Sequence, residues 1–276
     1  MPEGDTIFRS ARALNRALAG KIVTRFETAY AHLATVDDDK KIAGRTVERV
    51  EARGKWLLMY LSDDLVLVTH MRMNGSWHLY RTGERWRRPR RDMRIMIETA
   101  DWSAVGFTVP VAEFHSAASL LRKTMIPALG PDLLKQDFDI ARAVAGIQEH
   151  ADEQIAEVLL NQRVMAGVGN VYKSETCFMC GVNPFWQVRT LDPSQLEQLV
   201  FMARKFLSLH VAEDVDGEIS TYAGLRRTTN TADRSARLWV YGRAGKPCRR
   251  CGTPIEMRKQ GSGARTTFWC PACQPF

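Results

Sequence analysis

The sequence has no apolar run of the roughly 18–20 residues that a membrane-spanning helix needs. Its first residues also lack the charged and apolar regions of a secretion signal. Both absences predict an intracellular, cytoplasmic protein. Acidic residues are fewer than basic ones, 31 against 39, which gives a formal net charge of +8. This imbalance favours an anionic partner such as nucleic acid.

Cysteine is scarce, and none stands alone, because all six cysteines occur in Cys-x-x-Cys pairs. In a reducing cell such pairs point to metal before disulfide. The two C-terminal pairs are separated by a spacing typical of a zinc ribbon, in which four thiolates surround one ion. The sequence therefore predicts one structural zinc ion with four ligands: Cys248, Cys251, Cys270 and Cys273.

The N-terminal segment MPEGDT carries the second chemical signal. Removal of Met1 would leave Pro2 with a free secondary amine beside the carboxyl group of Glu3. Such an amine condenses with an aldehyde-like carbon to give a cationic iminium, which draws electrons in later bond cleavage. The simpler alternative is a frayed chain end. Against fraying, apolar residues at helical spacing predict a helix that would fix the segment: Ile7, Ala11, Leu14 and Leu18.

Short β-rich runs separated by turn residues follow from residue 21 to about residue 114. This texture predicts a β-sandwich or barrel. A hairpin is expected at Arg53-Gly54-Lys55, with Lys55 at its tip. On local grounds Lys55 is either a solvated turn residue or a functional cation.

The segment HMRMNGSW, residues 70–77, predicts a strand end with an exposed tip. Arg72, Met73 and Asn74 could enter a base stack, since unstacking costs only a few kcal/mol per step. The alternative places Met73 in the core. An arginine-rich segment at residues 81–94 is either a solvated surface or a phosphate-facing loop.

The series of β-rich runs ends before Gly130, and a domain boundary is predicted near this residue. Helical patterns follow at about 138–149, 152–162, 170–180 and 192–211. The glycines of MAGVGNVY place Asn170 at a helix start, where free backbone N–H groups favour a phosphate. A plain turn between two helices is the alternative. Cys177 and Cys180 lie on the helix after that turn and are interpreted as buried thiols.

Taken together, these motifs resemble the formamidopyrimidine-DNA glycosylase and endonuclease VIII family of DNA repair enzymes. The resemblance covers nearly the whole chain and rests on seven segments in one order: MPEG, the lysine after Arg53-Gly54, HMRMNG, LGPD, AGVGNVYKSE, VYGRAGKPC and RTTFWCPACQ. It implies a multidomain α+β fold. Three domains are expected: a catalytic β-sandwich with a leading helix at residues 1–130, a helix-two-turns-helix domain at 131–244, and a zinc finger at 245–276.

The resemblance also implies residue roles. Pro2 would be the nucleophile, Glu3 the acid, and Lys55 an assisting cation of the active site. Lys55, Asn170 and Arg265 would hold the phosphates that flank a damaged nucleotide. Arg72, Met73 and Asn74 would fill the gap left when that nucleotide flips out. The partner would be damaged double-stranded DNA, bound by a monomer that uses no organic cofactor.

The chain departs from the family pattern at position six, where Thr6 stands in place of a second glutamate and Asp5 precedes it. The proton transfer that this glutamate assists is therefore not assigned to a residue here. The PEGDT and HMRMNGSW segments look closer to the endonuclease VIII branch, which favours oxidised pyrimidines as substrates. Two alternatives stay open. One is a noncatalytic zinc-ribbon protein that binds damaged or branched nucleic acid, and the other is an RNA-modifying enzyme.

Overall fold

Helix α1 (Gly4–Leu18) begins directly after the N-terminal segment, as the apolar spacing predicted. Its apolar face is buried, and the chain leaves the helix through Gly20 at a φ of +77°. The computed structural model describes residues 2–123, 126–212, 226–229, 233 and 236–276. The sequence of residues 216–244, which is rich in glycine, threonine, asparagine and arginine, predicts a mobile loop, and part of this segment lies outside the described residues. In the described part of the chain, no helix is long and apolar enough to cross a membrane.

The chain separates into two compact units near residue 128. After α1, the first unit continues with β1 (Arg25–Thr28), α2 (Ala31–Lys40), β2 (Val47–Arg53), β3 (Trp56–Leu61), β4 (Leu65–His70), β5 (Ser76–Arg81), β6 (Met93–Glu98), β7 (Trp102–Phe107), β8 (Val111–His115) and α3 (Ala117–Lys123). Short 3₁₀ turns lie at Arg90–Asp92 and Ile126–Ala128.

The strands form two four-stranded antiparallel sheets, in the orders β1-β6-β7-β5 and β2-β3-β4-β8. One core is shared by Leu57 and Leu67 of one sheet, Ile95 and Ile97 of the other, and Leu14 of α1. The predicted β-sandwich with a leading helix is thus confirmed. Helix α2 was not predicted, because Leu33 is its only buried residue and it presents no apolar stripe.

The second unit is mainly helical. It contains α4 (Ile140–Gln148), α5 (Ile155–Val158), α6 (Asn170–Met179), α7 (Pro193–Ala212), β9 (Glu256–Gln260) and β10 (Arg265–Trp269), with a 3₁₀ turn at Val188–Thr190. All four predicted helices are present. Helix α5 is shorter than predicted because the chain tightens after Val158, where Leu160 and Asn161 donate to carbonyl groups three residues back.

Candidate functional site

Pro2 and Glu3 are both buried at the start of α1. The carbonyl of Glu3 accepts hydrogen bonds from the amides of Thr6 at 3.0 Å and Ile7 at 3.1 Å, so Glu3 is the last residue before the helix. The helix itself is fixed by its apolar face in the sandwich core. The idea of a frayed end is therefore wrong for residues 2 and 3. A buried carboxyl group stands immediately beside the candidate nucleophile.

Asp5 and Thr6 occupy the first turn of α1, and both are buried. The Thr6 hydroxyl donates to Asp5 Oδ1 at 3.4 Å, while Asp5 Oδ2 lies 3.9 Å from the Arg9 guanidinium. The Asp5 carboxylate is thus engaged by neighbours on its own helix. It lies beside the position where the family pattern has its second glutamate.

Lys55 lies at the predicted hairpin, in a two-residue turn that Gly54 allows with a φ of +57°. The lysine is half-buried, not fully solvated. Burial, together with the charges of Lys55 and Arg72, lowers the pKa of His70 to about 4. His70 is therefore a neutral imidazole between two cations. From sequence, His70 is interpreted as a packing or hydrogen-bonded residue, and the Arg72 amide, which donates to its Nδ1, confirms the hydrogen bond.

The tip at residues 71–75 exposes its three middle side chains. Met73 is 51% exposed, so the alternative that placed it in the core is wrong. The turn is tight: a Cβ on Gly75 would lie 2.7 Å from the Met71 carbonyl oxygen. His70 Nδ1 accepts from the Arg72 amide at 3.0 Å, which closes the other end of the tip. An apolar side chain thus projects from a rigid strand end.

Asn170 opens α6, after a turn that Gln162 holds in place. The Gln162 side chain donates to the Val168 carbonyl at 3.0 Å and accepts from the Gly167 amide at 3.0 Å. Gly167 has a φ of +114°, which a residue with a side chain rarely adopts. The helix start is therefore fixed, and the positive end of the helix dipole at this point favours an anion. Sequence reasoning found the glycines but missed Gln162.

Two side chains of α6 hold the finger hairpin, which is formed by β9 and β10. Asn170 Nδ2 donates to the Thr266 carbonyl at 2.6 Å, and Lys173 Nζ donates to the same oxygen at 3.2 Å. Lys173 also donates to Thr267 Oγ1 at 2.7 Å, although the lysine is fully buried. Arg265 directly precedes Thr266 and is exposed at the start of β10. The structure thus brings the predicted Asn170 and Arg265 to one place.

The polar contacts continue from Thr267 into the helical core. Thr267 Oγ1 donates to Gln260 Oε1 at 2.7 Å, and Gln260 Nε2 donates to Gln154 Oε1 at 2.7 Å and to the Pro184 carbonyl at 3.0 Å. Buried polar groups with complete partners fix one arrangement of the chain, since an unpaired partner is costly. The hairpin register is therefore set by side chains that the sequence reading did not single out.

The four ribbon cysteines form one cluster, in which all four Sγ atoms lie within 4.8 Å of one another. Cys248 and Cys273 Sγ are 3.9 Å apart, and Cys251 and Cys270 Sγ are 3.5 Å apart. Zn–S bonds of about 2.3 Å in a tetrahedron place the sulfur atoms about 3.8 Å apart. The Arg250 amide points to Cys248 Sγ at 3.4 Å, as expected for a thiolate knuckle. The donors and spacing fit one structural zinc ion.

Glu175 is a further buried anchor on α6. Its carboxylate accepts from three successive amides, those of Trp239, Val240 and Tyr241, at 2.8–2.9 Å, and from the Thr228 hydroxyl. Burial raises the pKa of this carboxyl group, and these hydrogen bonds oppose the rise. The contacts attach the segment before the finger to α6. From sequence, Glu175 looks like any solvated helix residue.

Cys177 and Cys180 lie outside the ribbon cluster, as the interpretation as buried thiols implied. Cys177 is fully buried, and burial raises the pKa of each thiol to about 12. Both therefore remain protonated, and within the described residues they join no group of close metal ligands. Their contribution is to packing.

The β-sandwich, the glycine turn before α6 and the four-thiolate ribbon together define a multidomain α+β protein with a zinc finger. The chain belongs to the formamidopyrimidine-DNA glycosylase family: the model of its N-terminal domain matches residues 1–110, the model of its H2TH domain matches residues 129–221, and the zinc finger found in FPG and IleRS matches residues 245–275.

Relatives and solved structures agree with this family. The chain is 41% identical to a probable endonuclease 8 2 from Streptomyces coelicolor, over 99% of this chain and 94% of the relative. It is 40% identical to the DNA-(apurinic or apyrimidinic site) lyase Nei2 of Mycolicibacterium smegmatis, over 99% of both chains. The fold matches Lactococcus lactis formamidopyrimidine DNA glycosylase with a TM-score of 0.81 and 23% identity, over all of both chains. These relatives confirm the predicted affinity with the endonuclease VIII branch.

Proposed function

We propose that this protein is a DNA glycosylase with AP lyase activity that acts in base excision repair on oxidised bases in double-stranded DNA. The observation that carries the proposal is the buried carboxyl group of Glu3 next to Pro2 at a fixed helix start, within this family's fold. Two relatives are named endonuclease 8 and apurinic or apyrimidinic site lyase, and the lactococcal enzyme was solved on abasic-site DNA.

In the proposed mechanism, Met1 is removed and the neutral Pro2 amine attacks the anomeric carbon of a flipped nucleotide. Glu3 donates a proton to the ring oxygen as the sugar opens. The base leaves with its bonding electrons, and an iminium joins Pro2 to the sugar. Loss of a sugar proton then expels the phosphate on one side, and a second elimination expels the other. Water then hydrolyses the iminium, which releases the sugar fragment as an aldehyde and frees the Pro2 amine, and a one-nucleotide gap remains.

The other site residues position the DNA. Lys55, Asn170 and Arg265 hold phosphates beside the lesion, while Arg72, Met73 and Asn74 fill the vacated stack. The exposed, rigid tip at residues 71–75 and the fixed start of α6 support these roles. Zinc folds the finger and takes no part in the chemistry. Because chromosomal DNA is its substrate, we place the enzyme in the cytoplasm, at the nucleoid if the source is bacterial.

The substrate preference that we propose is for oxidised pyrimidines over oxidised guanine. The endonuclease 8 relatives and the PEGDT and HMRMNGSW segments support it. Saturated pyrimidines also stack poorly, so their extrusion costs less. The sequence of residues 216–237 also supports this preference, because it offers no aromatic residue other than Tyr222 to sandwich a flipped purine, and this segment lies mainly outside the described residues. Single-turnover competition between thymine glycol and oxidised guanine opposite cytosine, in otherwise identical duplexes, tests the preference. Faster release of the guanine lesion would contradict it.

The experiment for the activity itself uses the full chain and a duplex with one thymine glycol. We expect release of the base and strand cleavage that leaves phosphate on both ends of the gap. A noncatalytic binder would retain the intact strand at every enzyme concentration. Cleavage only at preformed abasic sites would support the AP lyase activity and contradict the glycosylase activity.

A further inference from the structure

A loop between β5 and β6 carries an unusual density of positive charge. Residues 84–91, here called the arginine loop, contain five arginines: Arg85, Arg87, Arg88, Arg90 and Arg91. The only acidic residue of the loop is Glu84, which accepts from the Arg81 amide at 2.9 Å. Residues 84–90 line an open surface recess of about 530 Å³. The proposed mechanism leaves this surface without a role.

The arginine loop has a built shape, because aromatic side chains hold it against the sheet. Trp86 packs edge-on against Phe107 with ring centres 5.7 Å apart. The Arg87 amide donates to the Tyr80 hydroxyl at 3.2 Å, and Arg90 lies over Trp86 at 5.5 Å. These residues form a small cluster separate from the sandwich core. A loop that is already ordered loses less entropy when it binds.

The arginine loop also lies beside the tip at residues 71–75. Arg88 Nη1 donates to Ser76 Oγ at 3.2 Å, and Ser76 directly follows the tip. The Thr108 hydroxyl donates to the Asn74 carbonyl at 2.7 Å, and the Thr108 amide donates to the Asp92 carbonyl at 2.7 Å. The loop end and the tip are thus joined through Thr108. A DNA backbone that the tip approaches is therefore also near the end of the loop at residues 88–91.

Four of the five arginines divide into two groups by their contacts. Arg88 pairs with Asp92 at 3.2 Å, and Arg90 pairs with Glu27, so both help to hold the loop. Arg85 and Arg91 are exposed, and within the described part of the chain their guanidinium groups have no hydrogen-bond or ion-pair partner. A planar guanidinium matches phosphate oxygens in a bidentate manner. The second group is therefore available to a polyanion.

We propose that the arginine loop is a second phosphate-binding surface, on which Arg85 and Arg91 hold the DNA backbone next to the tip. The inference rests on the proposed function in taking DNA as the polyanion. It adds an anchor on the β-sandwich to the phosphate contacts proposed for Lys55, Asn170 and Arg265. It makes the affinity for undamaged duplex depend on this loop as well as on the finger.

The test compares Arg85→Gln/Arg91→Gln with a control of equal charge loss, Lys40→Gln/Lys41→Gln, two exposed lysines at the end of α2. Binding of an undamaged duplex is measured between 50 and 200 mM salt. Loss of two phosphate contacts should make the slope of log affinity against log salt concentration shallower by about 1.8. The rise in salt from 50 to 200 mM then costs the arginine variant about twelvefold less affinity than it costs the wild-type protein. The lysine control keeps the wild-type slope. Equal slopes for the two double variants would overturn the inference.

Borohydride trapping of the wild-type protein on abasic-site DNA separates this inference from the proposed function. A covalent adduct together with an unchanged salt slope in the arginine variant would contradict phosphate binding by the arginine loop and support the proposed enzyme activity. A lowered salt slope without any adduct would support phosphate binding by the arginine loop and contradict the proposed enzyme activity. Near-UV circular dichroism of both double variants checks that the aromatic cluster around Trp86 is intact.

Discussion

The start of α1 and the finger hairpin hold their functional side chains by different means. Glu3 is fixed because α1 buries an apolar face in a large sandwich core. Arg265 is fixed because Asn170 and Lys173 bind the next two residues, Thr266 and Thr267. The cluster of four cysteines holds the rest of the ribbon. The first arrangement depends on apolar area, whereas the second depends on a metal ion and a few hydrogen bonds. Single polar substitutions should therefore disturb the second far more than the first.

The largest expected effect is on the ribbon. Cys270→Ser should abolish zinc binding and unfold residues 245–275, because a structural zinc supplies about 10–16 kcal/mol of apparent binding energy. The β-sandwich should stay folded, since its core contains no part of the finger. Metal analysis and hydrogen exchange measure both outcomes. Cys180→Ser is the matched control. Cys180 lies outside the cluster, so this variant should retain zinc. Full zinc occupancy in the Cys270 variant would refute the assignment.

The second effect is chemical. Glu3→Gln should slow removal of an oxidised base by about 10²–10⁴-fold, because a positioned acid contributes that much to proton transfer. Cleavage at preformed abasic sites should slow less, since no base has to be released. Single-turnover rates on the two substrates give the comparison. Glu48→Gln, at an exposed position of β2, should match the wild type. Equal slowing of both reactions would contradict the acid role of Glu3.

The third effect tests the polar anchor of the hairpin. Lys173→Met should lower the free energy of unfolding by about 1–3 kcal/mol, since Thr266 and Thr267 lose their buried donor. It should also lower the salt slope of DNA binding by up to about 0.9, the loss that we expect for Arg265→Ala if Arg265 contacts one phosphate. Zinc content should not change. Lys205→Met, at an exposed position of α7, is the control.

The double variant Lys173→Met/Arg265→Ala sharpens this test. If Lys173 acts by positioning Arg265, the slope of the double variant equals that of Arg265→Ala alone. Additive losses would mean that Lys173 stabilises the fold without placing the arginine.

The smallest effect belongs to the sandwich. His70 has a pKa of about 4 in the folded protein and about 6.5 in an unfolded chain. Between these values the unfolded state binds more protons, so stability is full above pH 6.5 and falls as the pH drops towards 4. His70→Asn removes this contribution. Urea unfolding at pH 7.5 and pH 5 should show that the variant loses about 2 kcal/mol less stability than the wild-type protein over this pH range. Equal losses would contradict the buried, neutral histidine.

Sequence patterns predicted the sandwich, the four helices and the ribbon because each has a strong local signature. Apolar spacing revealed α1, and cysteine spacing revealed the ribbon. Helix α2 and the shortened α5 escaped, since tertiary contacts and not local pattern decide them. Residues with a signature of their own are found from sequence, whereas residues defined by a distant partner are not.

The candidate site follows the same division. Pro2 and Glu3 were predicted from the amine and the carboxyl group that the N-terminal sequence places side by side, and Asn170 was predicted from the glycines that mark a helix start. Lys173 contacts Thr267, which is 94 residues away, and Glu175 contacts Val240, which is 65 residues away. Nothing in the local sequence of α6 announces either contact. The roles of the predicted residues in catalysis remain predictions.

The most direct measurement of the central claim is the position of the covalent link to DNA. Full-length protein that is shown to lack Met1 is incubated with abasic-site duplex and borohydride, and the DNA-linked peptide is sequenced. The account predicts an adduct on the peptide that begins at residue 2, with the amine of Pro2 bonded to the sugar. An adduct on an internal lysine such as Lys55, or no adduct at all, would contradict it.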